Sequence, residues 1–230
     1  MAATLKDYEG AATNRNFKLI RSIKSFCKAR VKLMSTQAKH DAELIVVSDN
    51  CLKVIALVNH FFPEQDYPFI KRVLLKNDRN VFSGEVRQKG LEISKYPWVC
   101  YLDSDDMLDV NHLSFFTKLE SDSSVDFFYY NEAVLVSSKK VKDSITSKKR
   151  IVYEYGKKEV KLEHGSAGTS SILHKRVFKN GFKPSWKGKN GYGHDWAFIQ
   201  EMMQNGESKR FTVPFCTYVI CHIPSLNIDN

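Results

Sequence analysis

Trp98-Val-Cys-Tyr-Leu-Asp-Ser-Asp-Asp-Met-Leu108 is a short apolar run that breaks off into the carboxylates Asp103, Asp105 and Asp106. An apolar run of this length that ends in polar residues reads as a buried strand. No basic residue lies within the segment to neutralise the carboxylates. Crowded carboxylates repel one another. A hard divalent cation relieves that repulsion and keeps open positions for substrate phosphates. The same residues also suit the first turn of a helix starting near Val110, where negative charge complements the helix dipole. The segment alone supports both readings.

Upstream, Glu43-Leu-Ile-Val-Val-Ser48 is a second apolar strand, ending at Asp49, and Phe17, Ile20, Ile23 and Phe26 recur at helical spacing before it. Further helices are predicted from Leu52 to Phe62, stopped by Pro63, and from Ser83 to Ile93 with Ser83 as N-cap. Strands alternating with helices imply parallel pairing through helical crossovers, with helices on both sheet faces. Ligands then gather beyond the carboxyl ends of the strands, where Asp49 and Asp103 should meet in one crevice. Downstream, Leu108 to Leu119 reads as a helix, and Asp126–Tyr130 and Ala133–Val136 read as strands paired with each other. Gly165 to Thr169 is a small, flexible stretch before apolar Ser171-Ile-Leu173.

The chain has 230 residues, enough for one sizeable α/β domain, and its 43% hydrophobic content supports a packed core and argues against disorder. A net charge of +9 favours phosphates, nucleotides or anionic lipid heads as partners. Nucleic acid is not expected, because no recognised motif or regular interleaving of basic and aromatic residues accompanies the charge. Much of the excess falls between Ser137 and Lys161, a stretch that reads as a solvated hairpin or loop, or as a surface for an anionic acceptor or membrane. Cys27, Cys51, Cys100, Cys216 and Cys221 are scattered without C-x-x-C spacing, which fits a reducing compartment. Met1 to Gly10 has no apolar signal core and no run is long enough to span a bilayer, so a cytoplasmic protein with at most peripheral membrane contact is expected.

Taken in order, Leu44-Ile-Val-Val-Ser-Asp49, Asn80, Val86-Arg87-Gln-Lys-Gly90 and Tyr101-Leu-Asp103-Ser-Asp105-Asp106 resemble the family 2 type of GT-A glycosyltransferase over most of the chain. The resemblance implies a GT-A (nucleotide-diphospho-sugar transferase) fold, an α/β architecture with a Rossmann-like, mainly parallel central sheet flanked by helices. It implies one domain over residues 1–230, with a nucleotide-binding half at 1–106 and an acceptor-binding half at 107–230. By the same resemblance Asp49 accepts hydrogen bonds from the base, most simply uracil, and Arg87 lies near the nucleotide or supports the pocket wall. Asp103 contacts ribose or metal, Asp105 ligates the metal, and Ser104 and Asp106 face the donor. Read without the resemblance, Asp49 is a turn residue and Arg87 a surface ion-pair partner.

Gly191-Tyr-Gly-His-Asp195-Trp-Ala-Phe-Ile-Gln-Glu-Met-Met203 places Asp195 in the first turn of a helix entered from a glycine-rich loop, with Trp196, Ile199 and Met203 on one face. An aspartate there suits the helix dipole. The family carries a Glu-Asp pair at this point, which makes Asp195 the general base by resemblance and puts His194 where the glutamate stands. His194 reads as a loop histidine, or as an aid to base or acceptor. Tyr218-Val-Ile-Cys-His222-Ile-Pro-Ser225 resembles the family's closing motif, which makes His222 a metal or diphosphate ligand; otherwise it is a strand-end histidine. Thr13-Asn14-Arg15 matches the family's opening motif, placing Thr13 at the nucleotide, but Lys6 to Ala12 is too polar for an ordinary central strand.

The implied activity is an inverting transfer of a sugar from a nucleotide-sugar donor, a UDP-sugar, to a glycan or other hydroxyl acceptor with Mn²⁺ or Mg²⁺ as cofactor. A catalytically silent sugar-nucleotide or glycan-binding module of the same fold is the alternative. Nucleotidyl transfer to a sugar phosphate wants a glycine-rich phosphate loop near the N-terminus, which the lone Gly10 does not supply.

Overall fold

A computed structural model of the chain describes residues 1–6, 14–37, 39–76, 83–117, 124–142, 149–178, 181–182, 193–211 and 219–220. β1 (Ala2–Ala3) is followed by α1 (Arg15–Thr36), β2 (Leu44–Asp49), α2 (Leu52–Phe61), β3 (Ile70–Leu75) and α3 (Ser83–Ile93). The three strands form a parallel sheet in the order β1-β2-β3, with Leu44 opposite Ile70 and Asp49 opposite Leu75. β2 is central, and its alternate side chains part to opposite faces. Leu44 and Val46 pack with Ile23, Phe26 and Val54 from α1 and α2, whereas Ile45 and Val47 pack with Val86 from α3. Burial on both faces requires a continuous apolar run, which is why this strand is plain in the sequence.

β3 is not apparent from the sequence, because Lys71 and Arg72 interrupt its apolar pattern. As an edge strand it tolerates charge. Lys71 pairs with Glu43 at 2.9 Å, and the Arg72 guanidinium donates to the carbonyls of Phe62 and Ile70.

Beyond α3 come β4 (Trp98–Cys100), α4 (His112–Phe116), β5 (Phe127–Tyr130), β6 (Glu132–Lys142), β7 (Lys149–Lys158), β8 (Ile172–Lys175), α5 (His194–Asn205), β9 (Ser208–Phe211) and β10 (Val219–Ile220). A second sheet has the order β4-β8-β5-β9, in which β8 runs antiparallel to both neighbours and β5 and β9 are parallel. The parallel character expected of the whole sheet therefore holds for the first sheet, while β8 makes the second mixed. Phe127 and Ile172 face Leu91 of α3 and Phe198, Ile199 and Met202 of α5. Phe128 and Leu173 turn to the other side, against Phe116 of α4.

Several sequence expectations change. The strands at 126–130 and 133–136 do not pair with each other: β5 pairs with β8 and β9, and β6 forms a hairpin with β7 from Glu132↔Lys158 to Lys142↔Lys149. Buried Asn131 separates them, its Oδ1 accepting from the Val160 amide and Arg210 Nη2, both at 3.1 Å. Within the basic 137–161 stretch β6 and β7 form the hairpin, and residues 143–148 lie outside the described residues. Of the helix expected from Leu108 to Leu119, α4 begins only at His112, because Leu108 is drawn into the α1 cluster ahead of it, and residues 118–119 lie outside the described residues. On α5 the buried face is Phe198, Ile199 and Met202, and Met203, read on one face with Ile199, is 43% exposed. Among the described residues no helix is long and apolar enough to cross a membrane.

Phe198 is fully buried, with the Phe182 ring at 4.3 Å and the His174 ring at 5.2 Å. Phe198→Ala should lower the unfolding free energy by about 3–5 kcal/mol, read as a drop in the urea midpoint at constant m.

Candidate functional site

The acidic loop after β4 is held by α1 rather than by a helix of its own. Leu102 and Leu108, at its two ends, are buried in the α1 cluster. Between them Ser22 Oγ donates to the carbonyls of Asp103, at 2.8 Å, and Asp106, at 2.5 Å. Arg21 Nη2 donates to the Asp105 carbonyl at 2.7 Å, and the Leu108 amide donates to Ser25 Oγ at 3.0 Å. This grip leaves Asp103, Ser104 and Asp105 half-buried at the tip of the turn. The helix-cap reading of the cluster fails on position. α4 starts at His112 with Asn111 as its N-cap residue, well past Asp106, and it is Asp109 Oδ1 that accepts from the Asn111 amide.

Asp103 has the cationic partner that its own segment lacks. Arg87, one turn into α3, places Nη2 at 2.5 Å from Asp103 Oδ1 and Nη1 at 2.6 Å from His194 Nε2. His194 opens α5 directly after Gly193, whose φ of +89° turns the chain into the helix. Ser83 Oγ is 3.1 Å from the same imidazole nitrogen. A Cβ at Gly84 would sit 3.1 Å from the His194 Cβ and Cγ, so α3 and α5 approach this closely because residue 84 is glycine. Asp195 follows, its Oδ1 accepting from the Trp196 amide at 3.0 Å and its Oδ2 turned toward Gly168. Arg87 thus joins an aspartate of the loop after β4 to the first turn of α5.

The carboxylates differ sharply in proton affinity. Burial opposes ionisation of Asp103, but the field and hydrogen bond of Arg87 outweigh it and hold its carboxyl below the ordinary range. Burial likewise works against the Arg87 cation and is outweighed by Asp103, with a smaller contribution from Asp195. Asp106 is 5% exposed, and burial, then the fields of Asp103, Asp105 and Glu132, push its carboxyl well above the ordinary range, with only Arg21 opposing. Glu132 is itself buried, accepting from Lys158 Nζ and Ser170 Oγ, each at 2.9 Å. Asp49 closes β2, and burial and the field of Glu85 raise its carboxyl against the pull of Lys6. Its Oδ1 is buried without a hydrogen-bond partner among the described residues.

Beneath the loop, Tyr101 donates to His174 Nε2 at 2.8 Å, and His174 Nδ1–H donates to the Lys175 carbonyl at 2.7 Å. Burial pushes His174 down to about 4, which keeps the ring neutral and able to accept.

The structure brings Arg87, Asp103 and Asp195 into one neighbourhood and sets Ser104, Asp105 and Asp106 on the same turn. Thr13, Asn80 and His222 lie outside the described residues. Among those described, no group of three or more His, Cys, Asp and Glu side chains gathers as a metal site. Sequence reading missed Arg21, Ser22, Ser25 and Glu132. Ser22 and Ser25 carry a signal, being small polar residues three apart beside the buried Ile23 and Phe26. Glu132 carries none, since nothing local shows that it is buried.

Solved structures share this fold. Staphylococcus aureus TarS 1–349 matches with a TM-score of 0.61, covering 90% of this chain and 57% of that one at 16% sequence identity. The fold is the GT-A glycosyltransferase fold. TarS in complex with UDP and with UDP-GlcNAc shares the GT-A fold with TM-scores of 0.58 and 0.59, both at 15% identity. The chain spans a little over half the length of these TarS structures, 57% and 56% respectively. No family model matches the sequence, and no curated protein matches it either.

The raised pKa of Asp106 makes a pH-dependent prediction. A carboxyl whose folded pKa is raised contributes stability below its unfolded pKa, about 4, and loses it as pH rises through the folded value. Asp106→Asn removes the ionisation, so its melting temperature should exceed that of the parent at pH 7–8 and converge on it towards pH 4.

Proposed function

We propose that the chain is a glycosyltransferase that moves a sugar from a UDP-sugar to an acceptor hydroxyl with inversion at the anomeric carbon. The observation that carries this reading is Arg87, which links Asp103 on the nucleotide side of a GT-A fold to the α5 turn that presents Asp195. TarS, which shares the fold, has been solved with UDP and with UDP-GlcNAc, and this favours a uridine donor.

The unsatisfied Asp49 Oδ1 at the end of β2 suits a base N–H donor, since a buried carboxylate oxygen without a partner is costly. The donor diphosphate would lie over the acidic turn. Mg²⁺ and Mn²⁺ are bound by one or two carboxylates together with substrate phosphates, so a dedicated all-protein cage is not required. The half-buried Asp105 and Asp103 fit that donor set, with His222 as a further ligand, and a cation held there would neutralise the leaving diphosphate. Asp106, buried behind this pair with its carboxyl raised, would line the donor side of the turn.

Asp195 then acts as general base. It takes the acceptor hydroxyl proton as the acceptor oxygen bonds to the anomeric carbon and the bond from that carbon to the diphosphate oxygen breaks, the electron pair leaving with UDP. The domain reading follows from these roles, residues 1–106 holding the nucleotide and 107–230 the acceptor.

Calorimetry with UDP and Mn²⁺, and turnover of a panel of UDP-sugars, test the proposal. Asp49→Ala should weaken UDP binding by roughly 10- to 100-fold, the value of one hydrogen bond to a charged group. Asp195→Asn should keep UDP affinity and lower kcat by roughly 10²- to 10⁴-fold. Asp105→Asn should abolish metal-dependent turnover, and unchanged turnover in that variant overturns the assignment. UDP binding without any turnover in the parent chain would identify a silent binding module instead.

A further inference from the structure

We infer that His194 is a positioning residue: its neutral imidazole fixes the Arg87 guanidinium on Asp103 and so ties the helix bearing Asp195 to the acidic loop. The inference rests on the role given to Asp195 above. The two contacts of Arg87 divide its guanidinium. Nη2 is spent on Asp103, and Nη1 points at His194 Nε2 from 2.6 Å. A guanidinium has donors and no acceptor, so the imidazole nitrogen facing it must carry the lone pair. Ser83 Oγ, 3.1 Å away, can donate to the same nitrogen. The proton of the ring is therefore on Nδ1.

An imidazolium in this position would offer no lone pair and would face Arg87 as a like charge. The other charged groups acting here pull the opposite way. Asp103 from the loop and Asp195 from α5 both favour a cation, and both already act on Arg87. Glu85 shares the first turn of α3, and the Met1 amino group bears on both Arg87 and Asp103. Proximity at Gly84 makes the geometry stiff. A side chain there would meet His194 at 3.1 Å and push the ring off Arg87. The glutamate that the resemblance puts at 194 would place a second carboxylate on the guanidinium, whereas histidine accepts from Nη1 without adding charge.

The tautomer and the kinetics test this separately. In the substrate-free chain, imidazole nitrogen NMR at pH 7.5, with His194 assigned by its loss in His194→Gln, should show Nδ1 protonated and Nε2 as an acceptor. With a UDP-sugar that the chain turns over, His194→Ala should lower kcat by roughly 10- to 100-fold, with donor KM little changed. His194→Gln, whose amide oxygen is a neutral acceptor, should restore most of that loss. An Nε2–H or doubly protonated ring at pH 7.5 overturns the inference, as does equal loss in the Ala and Gln variants. A chain that turns over no UDP-sugar overturns the proposed activity, and the tautomer then decides the role of His194.

Discussion

The contact between Arg87 and Asp103 constrains every element around the site. A guanidinium withdrawn from water is costly unless its donors are met by acceptors, and removal of one partner from a buried pair leaves an uncompensated charge. Arg87 is 10% exposed and Asp103 35%, so the cation is the deeper of the two. Meeting its two Nη donors requires α3, the loop after β4 and the first turn of α5 to converge, although they are far apart in sequence. Gly84 permits the approach, and Gly193 turns the chain into α5 so that His194 can meet Nη1.

The same pairing separates the chemistry of neighbouring carboxylates. Arg87 holds the Asp103 carboxyl below the ordinary range, whereas Asp106, three residues on, is buried among like charges that push its carboxyl above it. Ser22 bonds to the carbonyls of both, so α1 sets the shape of the turn while the side chains set its charge. A turn built in this way presents half-buried Asp103 and Asp105 at its tip and hides Asp106.

The share of the GT-A fold with TarS at 16% identity shows how little of the architecture depends on particular side chains. What the chain needs for β2 and β4 is apolar, strand-forming residues, and for α1, α3 and α5 an apolar stripe facing them. Departures from an ordinary pattern fall at edges. β1 spans only Ala2–Ala3, and β3 carries Lys71 and Arg72 where an edge strand tolerates them. β6 and β7, which carry most of the basic 137–161 stretch, pair with each other outside both core sheets, while Val160 beyond them is buried in the core.

The sequence by itself determined the local periodicities and the turns that end them. The strand closing at Asp49, the α2 and α3 helices, Asp195 in a helical first turn and the acidic turn after β4 were all legible, because each is encoded within a few neighbouring residues. Pairings between distant segments were not. That β5 lies against β8 and β9, that Lys71 and Arg72 sit in a strand, and that the buried face of α5 includes Met202 rather than Met203 depend on what the rest of the chain supplies. The acidic segment contains no basic residue, and read alone it suggested carboxylates awaiting a cation. Only the tertiary structure brings Arg87 onto Asp103, and only burial, with the fields of Asp103, Asp105 and Glu132, raises the Asp106 carboxyl above its ordinary range. Charge and solvation act through space, so the proton states of the site follow from packing that no local stretch of sequence contains.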